Sequence, residues 1–129
     1  MLPTNDEVHL DERFPNHAVN ADGGMIAVLL PGFPLPPGFT VTKADLLLRL
    51  SPGYPDVHPD MWWFDPPVAR TDGGTIAATD AREVHLGRMW QRWSRHLSAG
   101  QWRPGIDSLE SYLVLVRAEL ASAAASLAA

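Results

Sequence analysis

With 129 residues the chain has the length of one domain, and a domain of that size buries roughly two thirds of its unfolded surface. Its 46% hydrophobic and 19% charged residues suit a globular protein and exclude a disordered one. The net charge of −5 disfavours nucleic acid as a partner, and the lack of any cysteine excludes disulfides, thiolate catalysis and cysteine-ligated zinc.

The amino terminus, Met1 to Glu7, carries neither a basic start nor an apolar stretch, and no apolar run approaches the ~20 residues of a membrane span. A soluble cytoplasmic protein is expected, as one domain over residues 1–129 with a variable amino-terminal segment (1–20) and an Ala- and Ser-rich tail (121–129) in which the last helix either continues or frays. Asp6 to Arg13 holds one or two helical turns, stopped by Phe14-Pro15. Asp22-Gly23-Gly24 is a turn, and Met25 to Leu30 after it reads as a buried strand. Four prolines make Pro31 to Gly38 a loop or extended connection.

Asp45 to Leu50 is the next predicted strand, ended by Ser51-Pro52-Gly53-Tyr54-Pro55, and Met61-Trp62-Trp63-Phe64 is a third, closed by Asp65-Pro66-Pro67. Short strands joined by Pro and Gly turns suggest an antiparallel meander. Thr75 to Ala78 reads as a short strand after the turn Asp72-Gly73-Gly74. Across Glu83 to Leu97 the residues Leu86, Trp90, Trp93 and Leu97 fall at helical intervals and predict a helix or helical turn. The clearest helix starts at Asp107, a residue able to cap its first turn, with Glu110 three positions on completing a capping-box pattern. Leu109, Tyr112, Leu113, Val116 and Leu120 line one face of it. The fold class is α+β, an antiparallel meander packed on one or two helices.

This order of elements resembles the ubiquitin-conjugating fold. Pro52-Gly53-Tyr54-Pro55 is similar to the Pro-x-x-Tyr-Pro turn of that superfamily, one residue shorter, and Trp102-Arg103-Pro104-Gly105-Ile106 resembles the Trp-Ser-Pro-Ala-Leu that precedes its second helix. Trp90-Gln91-Arg92-Trp93-Ser94-Arg95-His96 looks like a run carried by a bacterial branch. The likeness spans about residues 20 to 120. It implies a carrier that takes the activated carboxyl terminus of a ubiquitin-like protein from an activating-enzyme-like protein and passes it to an amine. A deubiquitinase-type metallopeptidase belongs to the same kind of pathway, and no cofactor, nucleic acid or membrane is implied.

Counting back eight residues from Trp102, the superfamily's usual step to its catalytic cysteine, reaches Ser94. The bond to the carrier would then be an oxyester. The chain also departs from the superfamily in its reduced first helix and in lacking the His-Pro-Asn triplet; His85-Leu86-Gly87 lies near where that triplet would be. An alkyl hydroxyl needs a base when it attacks, and His96 and His85 are the nearest imidazoles in sequence, His96 sharing a face with Ser94 if the chain there is extended. Arg92 and Arg95 are placed to attract an acidic partner or steady an oxyanion.

Plainer readings stand beside these. Ser94 is also suited to a surface hydroxyl or helix cap, His96 and His85 to structural hydrogen bonds, and Trp62, Trp63, Trp90, Trp93 and Trp102 to packing. No pair among the five histidines has metal-ligand spacing. A serine hydrolase would need a Gly-x-Ser-x-Gly elbow, which is missing. The competing function is a catalytically inactive adaptor for the ubiquitin-like protein or its activating enzyme.

Overall fold

Two residues in left-handed backbone conformation, Gly23 and Gly24 (φ 57° and 79°), turn the chain between β1 (Ala18–Asp22) and β2 (Met25–Pro34), the geometry that matches strand twist in a two-residue hairpin. In this computed structural model residues 1–125 are described. The chain runs α1 (Thr4–Arg13), β1, β2, β3 (Lys43–Leu50), β4 (Trp62–Asp65), β5 (Arg82–His85), β6 (Arg88–Trp93) and α2 (Leu109–Ala125). The strands form one antiparallel sheet in the order β1-β2-β3-β4-β6-β5. β2, β3 and β4 are the expected meander, and β1 extends it at one edge, where no strand was expected.

Both helices cover one face of the sheet. Val28 and Leu30 of β2, Leu46, Leu48 and Leu50 of β3, Trp62 and Phe64 of β4 and Trp93 of β6 point into that core, where they meet Leu10 of α1 and the buried face of α2. The five α2 residues named from periodicity are the ones buried there. The helix-free face holds a smaller cluster of Ala27, Leu47, Trp63 and Trp90. Alternation along each strand therefore places Trp62 and Trp63, adjacent in sequence, on opposite sides.

Several expectations are corrected. Residues 83–97 form no helix: Leu86 and Gly87 (φ 54° and 73°) make a two-residue turn, and β5 and β6 pair from Arg82↔Gln91 to His85↔Arg88. The helical spacing of Trp90 and Trp93 is an accident of a strand whose two faces are both buried, since three residues apart in a strand means opposite faces. Thr75 to Ala78 is no strand; Ile76 packs into the core from an irregular segment, and its carbonyl accepts from the buried Thr79 hydroxyl. Helix α1 is longer than one or two turns, at 10 residues.

The start of α2 also differs. Asp107 accepts from the Arg103 backbone N–H and closes the preceding turn, while Ser111 Oγ accepts from the Ser108 N–H and donates to the Ser108 carbonyl, both at 2.9 Å, so Ser111 rather than Glu110 supplies the side chain that reaches back to the start of the helix. The free N–H of Leu109 donates to Asp6 Oδ1 on α1. Of the tail left open between continuing and fraying, residues up to Ala125 continue the helix, and the remaining four lie outside the described residues.

Candidate active site

Ser94 is the first residue past β6, half-buried, with its N–H donating to the Ala78 carbonyl at 3.0 Å. The pairing Trp62↔Trp93 sends Trp93 into the core, so Arg92 and Ser94 lie on the helix-free face with Trp63. There Arg92 Nε donates to Ser94 Oγ at 3.0 Å, and Arg92 Nη1 donates to Glu83 Oε2 at 2.7 Å. The other oxygen of Glu83 accepts from Trp63 Nε1 at 3.0 Å and pairs with His85 Nε2 at 2.9 Å. Four residues from three strands thus support one hydroxyl.

An ionised carboxylate only accepts hydrogen bonds. Burial pushes the Glu83 carboxyl up, but the hydrogen bonds from His85, Trp63 and Arg92 outweigh it and hold the group below its usual range. Glu83 is therefore charged near neutrality, and His85 Nε2 carries a proton toward it. His85 reaches the serine only through Glu83 and Arg92. His96, exposed, has Nδ1 2.7 Å from Asp60 Oδ1, which makes Nδ1 the donor and leaves Nε2 as the nitrogen not engaged by Asp60. No hydrogen bond joins Ser94 to either imidazole. Arg95 turns to the other side of the sheet, over the Trp93 ring and 3.7 Å from Glu119 of α2.

The segment after Ser94 is tied down at Trp102, whose Nε1 donates to the Pro55 carbonyl at 2.8 Å while its ring lies 6.1 Å from that of Tyr54. Tyr54 donates to the buried Asp6 Oδ2 at 2.6 Å. The Pro-Gly-Tyr-Pro turn therefore joins α1, the start of α2 and the tryptophan loop into one structure. Between that loop and α2 lies a groove of about 290 Å³ whose lining includes Leu97, Trp102, Tyr112 and Leu115; Ser94 is not part of it.

Further along the helix-free face, Arg88 sits between Asp45 (2.8 Å) and Asp65 (2.7 Å), its guanidinium 4.4 Å above the Trp90 ring. Glu83, Asp60 and Asp6 were not among the residues singled out by sequence. Glu83 had a weak signal, standing two residues before His85. Among the described residues, no group of three or more His, Cys, Asp or Glu is placed to hold a metal ion, and no helix is long and apolar enough to cross a membrane.

The sequence model for the family described as Prokaryotic E2 family E matches residues 2–123 of the chain. No curated protein and no solved structure matches it.

Proposed function

The chain belongs to Prokaryotic E2 family E, and on that premise we propose that this conjugating-enzyme-like protein accepts the activated carboxyl terminus of a ubiquitin-like protein as an oxyester on Ser94 and passes it to an amine. The observation that carries this reading is the Arg92 Nε to Ser94 Oγ hydrogen bond on a half-buried serine, the residue that the resemblance, counted back from Trp102, would align with the superfamily's cysteine. A guanidinium donating to the oxygen favours negative charge there during attack, in a setting drier than bulk water. The Ser94 oxygen forms the new acyl bond as the bond to the activating enzyme's leaving group breaks. The base in this reading is His96, whose Nε2 is left free by Asp60; it makes no contact with Ser94 in the uncharged chain and has to turn toward the serine to take the hydroxyl proton and return it to the departing group. His85 contributes through Glu83. The partners in this reading are the ubiquitin-like protein and an activating-enzyme-like protein, with a deubiquitinase-type metallopeptidase reversing the product, in the cytoplasm.

The test mixes the chain with its activating-enzyme-like partner, the ubiquitin-like protein and ATP. The expected adduct resists reductant, is cleaved by mild alkali, is lost in Ser94→Ala and turns reductant-sensitive in Ser94→Cys. A second reading, an inactive adaptor that only binds these partners, is favoured by the lack of any imidazole bonded to Ser94. Stable binding with no adduct under any condition would select it.

A further inference from the structure

We infer that Glu83 is a positioning residue for Ser94: it clamps one end of the Arg92 guanidinium so that the other end meets the serine oxygen. This deepens the acceptor reading of Ser94 and rests on it. An arginine side chain is long and rich in rotamers, and a single hydrogen bond to a neutral hydroxyl does not hold it in place. Here the 2.7 Å contact at Nη1 and the 3.0 Å contact at Nε use the two ends of one rigid plane. Glu83 is itself held by Trp63 Nε1 and His85 Nε2 on its second oxygen, and the Trp63 and His85 rings meet edge-on at 5.4 Å.

The register explains why these groups converge. Glu83 stands opposite Trp90 and Arg92 opposite Trp63, so carboxylate, guanidinium and indole share the helix-free face. The other cations near Ser94 are engaged elsewhere: Arg95 with the Ala77 carbonyl and Glu119, Arg82 with the Thr79 and Ala81 carbonyls. Arg92 is thus the cation that meets the hydroxyl, and Glu83 the anion that aims it.

A thiol in place of the hydroxyl reports on this geometry without any partner protein. In Ser94→Cys, alkylation by iodoacetamide is followed as a function of pH to obtain the pKa of the introduced thiol. The arrangement predicts a value about one unit or more below the ordinary ~8.5. Adding Arg92→Gln returns it to about 8.5. Adding Glu83→Ala gives the deciding sign: removal of a nearby negative charge alone would lower the thiol pKa further, whereas release of the guanidinium raises it, and the proposal predicts the rise. Arg92→Lys, which keeps the charge and is mild toward the fold, separates the same two effects, since the proposal predicts most of the rise seen with Arg92→Gln. A thiol pKa indifferent to Arg92→Gln and Arg92→Lys, or one lowered by Glu83→Ala, overturns it. The titration is independent of ester formation, so failure of charging in the wild-type chain would count against the acceptor reading and leave this result to be judged alone.

Discussion

Asp6 commits both carboxylate oxygens to groups far away in the chain: Oδ2 accepts from Tyr54, 48 positions on, and Oδ1 from the Leu109 N–H, 103 positions on. The residue is 1% exposed, so neither donor would find water if the carboxylate were removed. Asp6→Ala is expected to cost about 2–4 kcal/mol and Tyr54→Phe about 1–2 kcal/mol, measured by urea unfolding, with the double substitution costing less than the sum. Burial first, then the hydrogen bond and charge of Asp6, push the Tyr54 hydroxyl well above the usual tyrosine range, as expected of a phenol that must keep its proton to donate. None of this was legible in the sequence. A lone aspartate on a short polar helix reads as solvated, and its importance comes from partners that only the fold brings near. Ser94 and Arg92 were both named from the sequence, Ser94 by its spacing to Trp102, but the hydrogen bond between them and the part of Glu83 in it had to be seen.

The hairpin of β5 and β6 is the element that sequence periodicity misread and the one on which the candidate site depends. Its turn puts Leu86 and Gly87 in left-handed backbone, a Leu-Gly pair that lacks the Asn or Asp usual at the first position of such turns. Nothing lies within 4 Å of a methyl group built on Gly87, so Gly87→Ala tests backbone conformation alone. It is expected to cost about 1–2 kcal/mol in urea unfolding, and a neutral result would contradict the turn. By contrast β2, β3, β4 and α2 were legible as apolar runs or a helical stripe between clear stop signals. Their sides were harder to assign: the consecutive Trp62-Trp63-Phe64 fits a strand buried on both faces, and only pairing tells which ring meets the helices.

At the scale of the whole molecule, an acidic chain is held together partly by carboxylates that the fold keeps ionised. For Asp45 burial works against ionisation, but the hydrogen bonds from Arg88 and the Gly32 N–H outweigh it; Glu83 behaves likewise, and the Arg70 side chain and the Arg103 backbone lower Asp72 and Asp107. Each of these groups binds its proton less tightly folded than unfolded. Their stabilisation is therefore full above the ordinary values of 3.8 and 4.5 and is lost as pH falls through the lower native values. Stability should be level near neutrality and fall below about pH 4.5, with Arg88→Met flattening part of that fall. Tyr54 and Tyr112, both raised mainly by burial, set the alkaline side, where stability declines once pH exceeds the ~10 of a free tyrosine. Urea midpoints between pH 3 and 11 check both limbs.

The account's central claim is that a serine does the work of the absent thiol, and the position of the acyl group tests it most directly. The wild-type chain, charged with the ubiquitin-like protein by its activating-enzyme-like partner and ATP, is digested at mildly acidic pH and sequenced by tandem mass spectrometry. The prediction is a carboxyl-terminal remnant on Ser94 and none on Thr75, Thr79 or Ser98. A remnant on one of those residues instead, or uncharged chain that still co-elutes with the ubiquitin-like protein, would contradict it.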